Sequence, residues 1–120
     1  MTNSNQPQLF DIWLVYLRFI DHPNTGKVRP VLVVGISDDV IAVVKITSRP
    51  PEPDTGDVPI VQWQQAGLNT PSTVRCSQVF EISFDELLRD MPVGFLQPLD
   101  MDGVTQSLTK LGYLHKSENQ

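Results

Sequence analysis

Residues 29–47 read RPVLVVGISDDVIAVVKIT, and this stretch decides the fold. Two apolar runs, 29–36 and 40–47, flank Ser37, Asp38 and Asp39, whose short polar side chains suit a tight turn. Both runs are rich in valine and isoleucine, which favour strands. Adjacent strands joined this tightly form an antiparallel hairpin. The unbroken apolar run of the first strand predicts burial on both of its faces.

The hairpin gives Arg29 a neighbour. A turn centred on Asp38 puts Arg29 opposite Thr47 and Val31 opposite Lys45. A two-residue turn, Asp38–Asp39, puts Arg29 opposite Ser48 instead. Directly opposed residues share a face, with Cβ atoms about 5 Å apart. Either register leaves a hydroxyl beside the guanidinium, an arrangement that suits a phosphate, because the fork donates to two oxygens and the hydroxyl to a third. A solvated arginine at a strand end also fits the spacing, and spacing alone favours that reading over the phosphate site.

The pattern continues on both sides. FDIWLVYL (Phe10–Leu17) reads as a strand, and Arg18–Lys27, with Pro23, Asn24 and Gly26, as a loop. SRPPEPDTGD (Ser48–Asp57) holds no large apolar residue and reads as an exposed loop. VPIVQW reads as a short strand that Pro59 confines to an edge. STVRCSQVF (Ser72–Phe80) reads as a fifth strand with Val74, Cys76 and Phe80 on one face. Ser83 and Glu86 have capping-box spacing for a short helix, and VGFLQ reads as a last short strand. Asp100 is the expected N-cap of a C-terminal helix whose stripe is Met101, Val104, Leu108 and Leu111, with Gly112 at its end. Residues 1–8 and 115–120 read as disordered tails around one domain, 9–114. Short strands with tight turns predict a mainly β fold, a small curled barrel with a C-terminal helix.

Composition narrows the function classes. The chain has 120 residues and a formal charge of −5, which opposes a general electrostatic grip on nucleic acid. The charge is uneven. Residues 1–75 carry six basic and seven acidic side chains, and residues 76–120 carry three and seven. A local basic patch of Arg18, Lys27, Arg29, Lys45, Arg49 and Arg75 is therefore compatible with the overall acidity. The one cysteine, Cys76, has no internal disulfide partner and reads as a small buried hydrophobe. No leader-like stretch or membrane span is expected, and the chain reads as cytoplasmic. No Cys, His and carboxylate cluster has metal-ligand spacing, so neither a metal nor a cofactor is expected. His22 is a candidate proton carrier or a merely exposed loop residue; His115 falls in the tail. Trp13 and Trp63 read as core or dimer residues, with base stacking an alternative for Trp63 at an edge.

Taken together, FDIWLVYL, GKVRPVLVV, KITS, STVRCSQVFEI and DMDGVTQSLTKLG resemble the MazF/PemK family of toxins from toxin–antitoxin systems, over residues 9 to about 112. The RPVLVV and TS elements are the most specific, and VQWQQAGLNTPSTVR looks like a divergent branch. The resemblance implies an SH3-like barrel that forms homodimers, is held by a cognate antitoxin and cuts single-stranded RNA without a metal. In that chemistry the ribose 2′-hydroxyl attacks the adjacent phosphate, leaving a 2′,3′-cyclic phosphate and a 5′-hydroxyl. By resemblance, Arg29 and Thr47 are the catalytic pair and Gln78 matches a family glutamine. Lys27, Lys45, Ser48, Arg49, Arg75 and Gln78 are the candidate RNA contacts. The loops Arg18–Lys27 and Arg49–Asp57 match those bordering the RNA groove and antitoxin site. The glycine that usually precedes D-I/V-W is Phe10 here. The alternative is a non-catalytic member of the same fold, either a gyrase-poisoning type or an inactive RNA-binding protein.

Overall fold

A computed structural model describes residues 6–18 and 26–113. Six strands pair in antiparallel fashion: β1 (Asp11–Arg18), β2 (Gly26–Ile36), β3 (Val40–Thr47), β4 (Asp57–Pro59), β5 (Thr73–Ser83) and β6 (Gly94–Phe95). Their order across the sheet is β4-β5-β3-β2-β1-β6, and α1 (Pro98–Lys110) closes the chain. The result is a curled half-barrel, mainly β with one C-terminal helix, as the pattern of short strands predicts.

Both faces of the sheet are buried, because the central strands alternate apolar residues in both directions. Ile12, Leu32, Val44, Ile46, Val74 and Cys76 point to one side and pack with Val104 and Leu108 of α1. Trp13, Val15, Val31, Val33, Ile41 and Val43 point to the other and form a second core, capped by Phe84 and Leu87. The first is the helix-side core and the second the far-side core. No helix among the described residues is long and apolar enough to cross a membrane.

The central hairpin contains both of the registers that the sequence allows. The Ser37 N–H donates to Val40 O at 3.0 Å, so the turn has two central residues, Asp38 and Asp39. Near it, Ile36 pairs with Ile41 and Gly35 with Ala42. Val34 then stands out as a bulge, and beyond it Val33 pairs with Val43 and Val31 with Lys45. One extra residue has moved the register by one. The functional end of the hairpin thus has the alignment that directs Arg29 towards Thr47 rather than Ser48.

Five expectations are corrected. The hairpin arms are longer than expected: Arg18 still belongs to β1, and Gly26 and Lys27 already belong to β2, while His22 lies outside the described residues, as do His115 and the tail 114–120. Of VPIVQW, only Val58 and Pro59 are strand; residues 61–67 form helical turns, with Ala66 N–H donating to Gln62 O at 3.0 Å. The expected short helix after Ser83 is one turn, Phe84–Glu86, although the capping-box bond from Ser83 N–H to Glu86 Oε2 is present at 2.9 Å. Helix α1 starts at Pro98 with Gln97 as N-cap, because proline at the first helical position loses no hydrogen bond. Phe80 packs on the far-side core, opposite Val74 and Cys76. The reason is a three-residue bulge in β5: Val79 pairs with Val44 and Arg75 with Lys45, so residues 76–78 leave the ladder. An odd number of extra residues reverses the alternation.

Asp100 is freed from the capping role for a different one. It is buried, and its two carboxylate oxygens accept the Val61 and Gln62 N–H groups at 2.9 and 2.8 Å. It thereby caps the 61–67 turns from across the fold, satisfying amides that begin those turns.

Candidate active site

The site begins where the central hairpin opens. The β2–β3 ladder ends at the Val31–Lys45 pair. The next residue of β2, Pro30, has no N–H to continue a ladder, and it pairs only with Leu14 of β1. Past this point β2 and β3 are free to splay. Arg29 and Thr47 are the first residues beyond the last pair on the same face, and both line the two cavities that open there. They form, with Ile46, the wall that the cavities share.

Thr47 is oriented by the chain that follows it. Its Oγ1 accepts the Arg49 backbone N–H at 3.2 Å. That bond occupies one lone pair and leaves the hydroxyl proton available to donate. Arg29 sits opposite buried Val15 on β1, half-buried at its base. Among the described residues no carboxylate is paired with Arg29, Lys45 or Arg49.

The smaller cavity, about 290 Å³, lies on the far side of the sheet and is lined by Arg18, Arg29, Lys45, Arg49, Arg75, Gln78, Thr47, Ile46 and Leu17. Five of the six cations of the expected basic patch therefore meet in one place. The sixth, Lys27, pairs with Leu17 on the neighbouring strand but does not line the cavity. The β5 bulge brings Gln78 into this lining, where an unbulged strand would carry it further along the ladder. Arg75 is ion-paired: its Nε lies 3.8 Å from Asp57 Oδ1. That oxygen is buried and accepts no hydrogen bond among the described residues, while Asp57 Oδ2 accepts the Glu52 N–H at 3.1 Å. The Asp57 carboxylate thus sits under the groove and holds Arg75 without closing it.

The larger cavity, about 570 Å³, lies on the helix side of the shared wall. Leu14, Pro30, Leu68 and Val93 give it apolar walls; Ser48, Asn69, Thr70 and Ser72 give it neutral polar ones; Arg89 is its one added cation. Ser48 therefore falls on this side, not in the groove. Neither cavity is lined by a histidine or a carboxylate among the described residues. The sequence did not single out Asn69, Thr70, Ser72 or Arg89, because nothing local marks a loop residue as pocket-lining.

The remaining candidates are structural. Cys76 is fully buried, and burial pushes its thiol pKa up, with Asp57 adding to the shift and a hydrogen bond with Ser107 opposing it. A thiol held protonated is a poor nucleophile. Trp13 is buried in the far-side core, and Trp63 packs against the helix-side core from the 61–67 turns, not from an edge strand.

Comparison with known proteins now adds the family. Residues 8–112 match the family of PemK-like, MazF-like toxins of type II toxin–antitoxin systems. The chain belongs to that family.

Solved structures of similar fold include the Mycobacterium tuberculosis toxin MazF-mt6, with 23% identity, 88% of this chain and 99% of that one covered, and a TM-score of 0.68. A mycobacterial endoribonuclease in complex with its cognate antitoxin has 15% identity, coverages of 93% and 100%, and a TM-score of 0.72. The MazE–MazF complex (Form-II) of Deinococcus radiodurans has 16% identity, coverages of 88% and 93%, and a TM-score of 0.61. No curated protein matches the chain by sequence.

In this MazF/PemK-like chain Phe10 has a φ of +70°, in the left-handed region that glycine favours. The backbone is fixed there from both sides: Phe10 N–H donates to Val33 O and Phe10 O accepts Leu96 N–H, each at 2.8 Å. The side chain packs against the helix-side core. Phe10 thus holds a glycine-like backbone shape while its side chain adds apolar contact.

Proposed function

We propose that this toxin is an endoribonuclease that cuts single-stranded RNA at the Arg29–Thr47 wall. The observation that carries the reading is that these two residues stand together in the wall between a five-cation groove and a larger, mostly uncharged cavity. The strand's 2′-oxygen attacks the adjacent phosphorus as the bond from phosphorus to the 5′-oxygen breaks. The products are a 2′,3′-cyclic phosphate and a 5′-hydroxyl. Charge accumulates on the non-bridging oxygens, and the Arg29 guanidinium meets it in a fixed fork. Thr47 donates its free hydroxyl proton to one of those oxygens. Lys45, Arg49 and Arg75 hold the flanking backbone, and Gln78 adds a neutral donor. Arg29 and Thr47 act by charge stabilisation; the 2′-hydroxyl proton passes to solvent, and the leaving 5′-oxygen takes a proton from solvent.

The same reading makes the chain a cytoplasmic homodimer restrained by a cognate antitoxin; family membership supports this. The test incubates the purified protein with RNA in EDTA and identifies the product ends. Cyclic phosphates are expected, falling by about 100-fold or more with folded Arg29→Ala. Intact RNA together with inhibited gyrase supercoiling would replace the nuclease reading with a binding one.

A further inference from the structure

We propose that the larger cavity is the pocket that reads the base beside the cleaved phosphate, with Asn69 and Arg89 choosing that base. The inference rests on the ribonuclease reading and assigns it a specificity-determining surface.

The two cavities meet at one wall but differ in chemistry. The groove carries five cations. The larger cavity adds only Arg89 to apolar walls and neutral hydrogen-bonding groups. Single-stranded RNA has the same division: a uniformly anionic backbone, and unstacked bases with apolar faces and hydrogen-bonding edges. A strand lying across the Arg29–Thr47 wall puts its phosphates in the groove and an adjacent base in the cavity. At about 570 Å³ the cavity is within the size range of small-molecule sites, about 300–1,000 Å³.

Asn69 and Arg89 are equipped to select. Among the described residues the Asn69 side chain has no hydrogen-bond partner, and Arg89 has no carboxylate partner. A carboxamide offers donors and an acceptor to a base edge, and a guanidinium offers a donor fork. Ser72 is already committed, its hydroxyl donating to Thr70 O at 2.8 Å. The pocket is also built in advance. A Cβ on Gly67 or Gly94 would collide with backbone of the other segment, so the loop is seated directly on residues 93–94. Asp100 holds the other end of the same segment through Val61 and Gln62. A pocket this fixed discriminates shapes rather than adapting to them.

The test has two arms, and both pocket residues are exposed, so the variants keep their fold. The first arm selects binders from random 2′-O-methyl RNA octamers, which carry no nucleophile. Wild-type protein is expected to enrich one base at one position by about tenfold or more. Asn69→Ala and Arg89→Gln are expected to lower that enrichment to about threefold or less, whereas Lys45→Ala weakens binding across all sequences and keeps the preferred base. No enrichment by wild type, or undiminished enrichment in both variants, overturns the pocket. The second arm maps cuts in unmodified RNA. Cuts beside the selected base support the pocket, and cuts indifferent to it overturn it. Enrichment without any cutting removes the nuclease reading and leaves the pocket in place.

Discussion

The backbone N–H of Arg49 donates to Thr47 Oγ1 at 3.2 Å, so the second residue beyond the strand end fixes the hydroxyl at the strand end. That hydroxyl has one proton left to give, and the proposed chemistry uses it. Thr47→Ser keeps the hydroxyl and is expected to cleave RNA within about threefold of wild type. Thr47→Val keeps the shape and loses both functions of the oxygen, and cleavage is expected to fall by about 10- to 100-fold. Rates on one RNA substrate decide it; equal rates for the valine and serine proteins would remove Thr47 from the mechanism.

Asp100 joins the start of α1 to the segment that carries the larger cavity. Asp100→Ala leaves the Val61 and Gln62 N–H groups without their acceptor. The expected loss is about 2–4 kcal/mol, or roughly 10 °C or more in Tm for a domain of this size. Asp100→Asn retains an acceptor oxygen for one amide and should lose about half as much. A thermal melt of the three proteins measures both differences.

Cys76 gives a pH dependence of known sign. Its folded pKa is raised, mainly by burial, so the folded state keeps the thiol proton after the unfolded chain has begun to lose it. The contribution is fully present below the unfolded value of about 8.5 and is lost as pH rises from there through the folded value. Wild-type protein should lose more stability than Cys76→Ala as pH rises from about 7.5 to about 9.5. Urea midpoints at the two pH values provide the comparison, and parallel curves would contradict it.

Phe10 carries a backbone cost that glycine would not. Phe10→Ala loses the packing and keeps a Cβ at φ +70°. Phe10→Gly loses the same packing and relieves the strain. The glycine protein should therefore be more stable than the alanine protein by about 1 kcal/mol, reversing the usual order of these two residues. Chemical denaturation of both variants would reveal the opposite order if the left-handed backbone were not retained.

Much of this architecture is legible in the chain, and the parts that are not share one cause. The third strand has the bounds Val40–Thr47 that its apolar run predicts, and the strand of Gly94 and Phe95 falls within VGFLQ. The convergence of Arg18, Arg29, Lys45, Arg49 and Arg75 follows from strand ends lying together at one end of the sheet. Bulges are what the pattern conceals. Val34 looks like any other valine of its run, yet it decides whether Arg29 heads towards Thr47 or Ser48. Residues 76–78 alternate as a strand should, so Phe80 is placed on the wrong face by counting alone. Asp100 misleads for a related reason. An aspartate before an apolar stripe reads as a local cap, and its true partners, Val61 and Gln62, are visible only once the chain has folded back. Pro98 was the better signal for the helix start.

The bulge in β5 has a consequence for how the molecule comes apart. Up to and within the bulge the strand supplies Val74 and Cys76 to the helix-side core, and beyond it Phe80 and Ile82 to the far-side core. One segment is thus a seam stitched through both layers. Melting either layer frees the strand on which the other depends, so a single cooperative unfolding transition is expected, with the groove that holds Gln78 and Arg75 lasting as long as the seam does.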